Sequence, residues 1–360
     1  MSIAAARVRP LRLQFARPVR TARGVFTGRA IVLLELRDQD GCIGYGEAAP
    51  WPGFGTETAE EAVALLDTAT ALLRDLELQP GHWTPELSVL LQDAPAARAA
   101  VQGALWDLAA RRAGTPLAMQ LAAWAGSNPG GVLRQVAVSA LLVALEPDAL
   151  RDEAARAVAS GHRAVKLKLG VAPLAADVAR VRAVREGLGD RVRLRGDANG
   201  AWNTSQALAA LRALADFDLD YVEQPLHADD IDGLAALRRQ TPVRIAADES
   251  VATEQGALRL LERAATDVVV LKPATLGGPA RALELAAQAR RSGVEVVFTH
   301  TFESAIGARH ALHCAAAWAD PTGIHGLVTA GLFESDVAPP VDCHAGFAEI
   351  QAAAGIGTVP

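Results

Sequence analysis

From residue 134 onward the chain repeats one pattern: a short apolar run rich in β-branched residues, then an Ala/Leu/Arg-rich stretch whose apolar positions recur with helical spacing. The runs fall at 135–142, 164–169, 192–197, 221–224, 243–248, 268–272, 294–299 and 323–329. Their starts lie roughly 22 to 29 residues apart, as successive β-α units do, and the natural closure of eight such units is a parallel barrel. An open doubly wound sheet is the alternative, but polar residues end so many consecutive runs that the barrel is favoured. Before residue 134 the pattern differs. The run 31–36 reaches a turn at Asp38-Gln39-Asp40-Gly41 and a second short strand follows around 43–45, a hairpin signal. The prolines and glycines of 48–55 predict an irregular loop, and 58–73 and 96–113 read as helices, the second stopped by Gly114 and Pro116. The expected organisation is an α+β domain over 1–130, a barrel over 131–335 and a terminal segment over 336–360.

Composition narrows the partners. With 51% hydrophobic and 21% charged residues the chain is ordinarily globular. A formal charge of −6 without a basic run, and only 4% aromatic residues, argue against nucleic acid and for a small molecule. Cys42, Cys314 and Cys343 are few, odd in number and widely spaced, as reduced thiols of a cytoplasmic protein would be. Arg7, Arg9 and Arg12 lack the apolar region of a signal peptide behind them, and no run approaches the ~18 apolar residues of a membrane span. The pattern leaves a homo-oligomer open.

Basic chemistry is distributed unevenly. Lysine occurs only as Lys166, Lys168 and Lys272, and arginine supplies the other 32 of 35 basic residues. A guanidinium stays protonated, so arginine replaces lysine as a charge but not as a proton acceptor. All three lysines sit in apolar runs, where a lysine is unexpected unless it faces a site. In the barrel register the C-terminal strand ends carry Lys166 and Lys168, Asp197 and Asn199, Glu223, Asp248 and Glu249, and Lys272, all opening onto one face. Alternation puts Lys166 and Lys168 on one side of their strand, and Arg195 and Asp197 on one side of the next. Asp197, Glu223 and Asp248 would repel one another unless a cation held them. Oxygen-only ligation suits Mg²⁺, with Mn²⁺ an acceptable substitute. A metal between two lysines can bind a substrate carboxylate, acidify the adjacent C–H and stabilise the resulting enediolate, while positive charge and burial leave a fraction of neutral amine.

These residues resemble the enolase superfamily, and within it the muconate lactonizing enzyme subgroup. The resemblance rests on Ala164-Val165-Lys166-Leu167-Lys168, Asp197-Ala198-Asn199, Val222-Glu223-Gln224-Pro225, Ala247-Asp248-Glu249-Ser250 and Leu271-Lys272-Pro273, and covers nearly the whole chain. It implies a modified (β/α)₇β barrel of TIM type, with an N-terminal α+β capping domain completed by the C-terminal segment. It implies Asp197, Glu223 and Asp248 as Mg²⁺ ligands with Glu249 beside them, Lys168 as the main acid/base, Lys166 as its electrostatic neighbour, and Lys272 on the opposite face of a small carboxylate substrate.

Finer motifs, Gly46-Glu47-Ala48-Ala49-Pro50 followed by Trp51-Pro52-Gly53-Phe54, Arg195-Gly196-Asp197, and Phe302-Glu303-Ser304-Ala305-Ile306-Gly307, look like the o-succinylbenzoate synthases, dehydratases of menaquinone biosynthesis. This likeness implies that Trp51 and Phe54 close over the substrate, that Arg20 or Arg23 offers a cation to its succinyl carboxylate, and that Thr299 and Thr301 present hydroxyls. Arg195 and Asn199 are counted with the substrate-binding group, Arg195 as a residue that orients the nearby carboxylates. Dipeptide epimerases of the subgroup carry an Asp-x-Asp pair on the eighth strand; here that stretch reads His325-Gly326-Leu327-Val328-Thr329. N-acylamino-acid racemisation needs only the same two lysines and stays the main alternative. Mandelate-racemase-like chemistry is disfavoured because Lys272 stands where that subgroup uses an Asp, so His300 is read as loop or core. A non-catalytic binding member would gain nothing from the six retained positions.

Overall fold

The computed structural model describes residues 2–21, 24–74, 80, 81 and 83–360, with the side chains of all of these except Arg20 and Thr21. The chain opens with an antiparallel sheet of β1 (Ile3–Thr21), β2 (Gly24–Asp38) and β3 (Ile43–Ala48), with β2 in the middle. Val32, Leu34 and Leu36 of β2 pack on the helices α1 (Ala59–Leu73), α2 (Pro85–Leu90) and α3 (Pro95–Arg112), whereas Ile31 and Leu33 join the other, larger core. Both faces of β2 are covered, so its sequence reads as a continuous apolar run. Strand β3 lies so close to α3 that a Cβ at Gly44 or Gly46 would fall 2.2 Å from the Ala104 carbonyl or 1.9 Å from that of Ala100. Thr58 caps α1 in a reciprocal box with Glu61, and α4 (Leu117–Trp124) follows α3. The sequence pattern misses β1. It is an edge strand interrupted by Pro10 and Pro18, and the period of a strand shows only in its middle, where buried Leu13 and Phe15 alternate with exposed Arg12 and Gln14.

The barrel begins with β4 (Gln135–Val138) and β5 (Ala140–Leu142), and continues through β6 (Ala164–Lys168), β7 (Arg193–Asp197), β8 (Leu219–Glu223), β9 (Ile245–Ala247), β10 (Val268–Leu271) and β11 (Glu295–Phe298) to β12 (Ile324–His325). Strands β5 to β11 pair in parallel in chain order. A backbone bond from Gly326 to Phe298 joins β11 to the last strand, and β12 pairs in parallel with β4, closing the ring. The run expected at 135–142 is broken at Ser139, where the strand changes partners. Its first half pairs with β12 and, antiparallel, with β13 (Phe347–Glu349); its second half pairs with β6.

Helices α5 (Pro147–Ala159), α6 (Leu174–Leu188), α7 (Thr204–Leu214), α8 (Ile231–Gln240), α9 (Glu254–Glu262), α10 (Pro279–Arg291) and α11 (Ala305–Trp318) alternate with the strands. Outward residues such as Val165, Leu167 and Leu194 belong to the main core, while Tyr221, Ala246, Val268, Val270 and Val297 form a separate apolar cluster. The architecture is therefore a modified (β/α)₇β barrel with an N-terminal capping domain. The residues after β13 reach the cap, where Gly355 exchanges backbone bonds with Thr115 and Leu117, and Ile356 donates to Asp107 of α3.

Candidate active site

The register of the parallel strands sets the site in layers. Lys166, Arg195 and Tyr221 lie level across β6, β7 and β8, and one layer higher Lys168, Asp197 and Glu223 lie level. Asp248 follows the end of β9 and Lys272 the end of β10. Strands β6 and β10 are four apart in an eight-membered ring, so Lys168 and Lys272 approach from opposite walls. Lys168 Nζ is 2.7 Å from Asp197 Oδ2, and also donates to Asn199 Oδ1. Lys166 Nζ lies 3.1 Å from Asp197 Oδ2 and 3.0 Å from Glu223 Oε1. Lys272 Nζ donates to Asp248 Oδ1. Asn199, whose φ of +44° turns the chain sharply at the end of β7, donates from Nδ2 to Glu249 Oε1 at 3.0 Å. Asp248 is fixed through its backbone: Gln224 Oε1 accepts from the amides of Asp248 and Ser250, and Gln224 Nε2 donates to Leu226 O and Ser250 Oγ. Gln224 is fully buried and stands in the Val222-Glu223-Gln224-Pro225 motif, which is the signal that marks it.

Burial and neighbouring charge act against each other here. Burial would raise the Asp197 carboxyl, but the ammoniums of Lys166 and Lys168 overcome it and hold the group well below the usual carboxylate range. Burial, reinforced by repulsion from Asp197, pushes Glu223 up to about 8. Burial and then Asp248 raise Glu249 in the same direction. For Lys166, burial opposes the charge, but Asp197 and Glu223 lift the ammonium well above its ordinary value.

The donor set fits a hard divalent cation. Asp197, Glu223 and Asp248 offer only oxygen, come from three adjacent strand ends and are buried, and the charges of Asp197 and Asp248 both disfavour ionised Glu223. As they stand, lysines counter these acids. Among the described residues no three His, Cys, Asp or Glu side chains draw together into a ligand shell.

Other residues expected at the site lie elsewhere or are occupied. Arg195 does not reach the mouth. It is 1% exposed in the layer below, stacked 4.8 Å over Tyr221, and donates to Asp220 Oδ2 and to the Ile324 carbonyl. A register shift between Leu194 and Arg195 in the β7–β8 pairing, at the position of Asp220, makes that partner available. The Thr299 hydroxyl donates to Gly326 O, and the buried Thr301 hydroxyl donates to Glu303, so neither is held out toward a ligand. His300 accepts from the Phe302 amide and faces Val328 O at 3.3 Å, in keeping with a loop role. Arg23, and the side chain of Arg20, lie outside the described residues. Trp51 and Phe54 do come to the mouth: the Phe54 ring lies 4.7 Å from Lys272 Nζ, and Trp51 packs on Phe26, Phe54 and Phe302.

The barrel thus places lysines on opposing walls of its mouth, with three acids between them and a cap over it. Two family models match the chain: the mandelate racemase/muconate lactonizing enzyme N-terminal domain over residues 3–121, and the enolase C-terminal domain-like family over residues 149–360. The chain belongs to the enolase superfamily, in its muconate lactonizing enzyme subgroup. It is 32% identical to a hydrophobic dipeptide epimerase of Enterococcus faecalis (strain ATCC 700802 / V583), over 99% of each chain. It is 42% identical to an o-succinylbenzoate synthase of Thermobifida fusca (strain YX), over 58% of this chain and 64% of that protein. The crystal structure of the dipeptide epimerase from E. faecalis V583, complexed with Mg and the dipeptide L-Leu-L-Tyr, superposes with a TM-score of 0.88 at 30% identity, over 99% of both chains.

Proposed function

We propose that this enzyme is an o-succinylbenzoate synthase, which removes water from 2-succinyl-6-hydroxy-2,4-cyclohexadiene-1-carboxylate to give 2-succinylbenzoate in menaquinone biosynthesis. The observation that carries the reading is the placement of Lys168 and Lys272 on opposite walls of one apolar-capped mouth, with three acids between them. Asp197, Glu223 and Asp248 would hold Mg²⁺, which when bound neutralises the substrate carboxylate and acidifies the adjacent C–H. Lys168, whose carboxylate partner Asp197 would then be engaged by the ion, takes the ring proton. The C–H electron pair becomes the new ring double bond, the C–O bond breaks, and Lys168 returns the proton to the departing hydroxyl on the same face. Lys272 faces the charge developing on the carboxylate from the other wall. Lys166 balances Asp197 and Glu223, and Asn199 fixes the direction of Lys168. Trp51 and Phe54 place aromatic rings over the mouth and exclude water.

A second reading has its own support. Full-length identity to a dipeptide epimerase favours proton transfer between Lys168 and Lys272 across an amino-acid α-carbon, in a dipeptide or an N-succinyl amino acid. Against a dipeptide stands the eighth-strand stretch His325-Gly326-Leu327-Val328-Thr329, which has no acid to grip an amine. The test is a parallel assay of purified protein with Mg²⁺ on the cyclohexadiene carboxylate, an N-succinyl amino acid and a hydrophobic dipeptide. Efficient aromatisation with slow racemisation is expected. Fast epimerisation without aromatisation would transfer the assignment to the second reading.

A further inference from the structure

The loop that covers Lys272 is rooted by a residue outside the site. Arg29, on β2, is buried and donates to three main-chain carbonyls: Pro50 O at 2.5 Å, Ala49 O at 2.8 Å and Thr301 O at 3.3 Å. Its guanidinium also lies 4.5 Å over the Trp51 ring. From there contact runs onward. Trp51 meets Phe54 edge-on with centroids 5.7 Å apart, and Phe54 lies over the Lys272 ammonium. The single turn between the two rings is closed by Phe54 N to Trp51 O and Gly55 N to Pro52 O. Beneath Phe54, the space bounded by Asp248, Val270, Lys272 and Thr275 admits no water-sized body. Phe54 also lines a cavity of about 360 Å³ bounded by Gly53, Asp229, Glu249, Thr253 and Arg259. Phe54 borders both spaces and lies over the Lys272 ammonium, so its placement sets how that group is covered.

We infer that Arg29 is a positioning residue that fixes Trp51 as the root of the Pro52–Phe54 turn and so sets how Phe54 covers Lys272. The inference rests on the reading of Lys272 as a group at the reacting face. Arginine suits the task because one planar fork reaches carbonyls of two different loops while its face stacks on an indole; an ammonium offers neither geometry. The nearby carboxylates of Glu303 and Glu47 support the charge against its burial.

The experiment compares Arg29→Met, Arg29→Lys and wild type by amide hydrogen exchange and by steady-state kinetics on the preferred substrate. In Arg29→Met the Phe54 and Gly55 amides should exchange about tenfold faster or more, with β10 and β11 unchanged. KM should rise by about the same factor while kcat changes little. Arg29→Lys should resemble the Met variant in both readouts. If Arg29→Met fails to fold, Arg29→Lys decides alone. Wild-type exchange in Arg29→Met, or full recovery of exchange and KM in Arg29→Lys, overturns the inference. If the wild-type protein turns over none of the substrates, the exchange data still decide the role of Arg29, and the functional reading is what fails.

Discussion

At the scale of single residues, lysine and arginine divide the molecule between them. Each of the three lysines touches an acid at the barrel mouth, while buried arginines such as Arg29 and Arg195 bind carbonyls and hold walls together. Lys168→Ala and Lys272→Ala are each expected to lower kcat by about a thousandfold with the circular dichroism spectrum retained, the usual scale for losing a proton-transfer group. A Lys168→Ala protein of unchanged turnover would remove the mechanism. The acids give a second prediction independent of turnover: Mg²⁺ added to metal-stripped protein should raise Tm, and the rise should vanish in Glu223→Gln, because a ligand that binds only the native state stabilises it. The lysines and acids are legible in the sequence because each ends an apolar run. The partner of Arg195 is not legible, because nothing in its own run announces Asp220, which meets it one layer below the mouth. The acceptors of the Thr299 and Thr301 hydroxyls, Gly326 O and Glu303, likewise become visible only in three dimensions.

At the scale of elements, the N-terminus of α11 shows how cap and barrel are joined. Glu47, at the end of β3, is buried and accepts from the amides of Ser304 and Gly307 and from the Ser304 hydroxyl. An acid is favoured at a helix start, yet burial outweighs these bonds and pushes the carboxyl up to about 7. The unfolded chain releases this proton near pH 4.5, so between there and about 7 the folded state holds more protons. The associated stability is complete below the lower value and is lost as pH rises through the upper one, an amount of up to about 3 kcal/mol. Urea midpoints from pH 4 to 8 should therefore fall more steeply for wild type than for Glu47→Gln; parallel curves would show that Glu47 titrates normally. Of the elements themselves, the barrel strands and helices α1 and α3 follow from period and caps. Strand β1 does not, since its alternation is confined to the stretch around Leu13 and Phe15 while its pairing with β2 runs much further.

At the scale of the whole molecule, distant segments meet on single buried groups. Asp107 of α3 is fully buried and accepts from Tyr45 N, Arg111 Nε and Ile356 N, joining the cap sheet, its own helix and the last part of the chain. Asp107→Ala leaves two buried amides and a guanidinium without their acceptor, and should cost about 3 to 5 kcal/mol of stability, read as a lower urea midpoint. A loss below about 1 kcal/mol would mean that water replaces the carboxylate. Gly355 allows this meeting: its φ is +70°, and a Cβ there would fall 2.1 Å from Asp107 Oδ1. No periodicity in the sequence reports such a junction, because it depends on two segments far apart arriving at one point.

The partner exchange at Ser139 also bears on the order of events during synthesis. Strand β4 is the first part of the barrel to leave the ribosome, yet both of its edges are filled by residues made much later: Ile324–His325 on one side and Phe347–Glu349 on the other. The side chains of Gln135 and Glu349, hydrogen-bonded in the finished protein, are 214 positions apart. At an elongation rate of about 5 to 20 residues per second that interval lasts on the order of ten seconds or more, during which β4 has bare hydrogen-bonding edges. The strand that begins the barrel is among the last to be enclosed, and the nascent chain is most exposed to mispairing there.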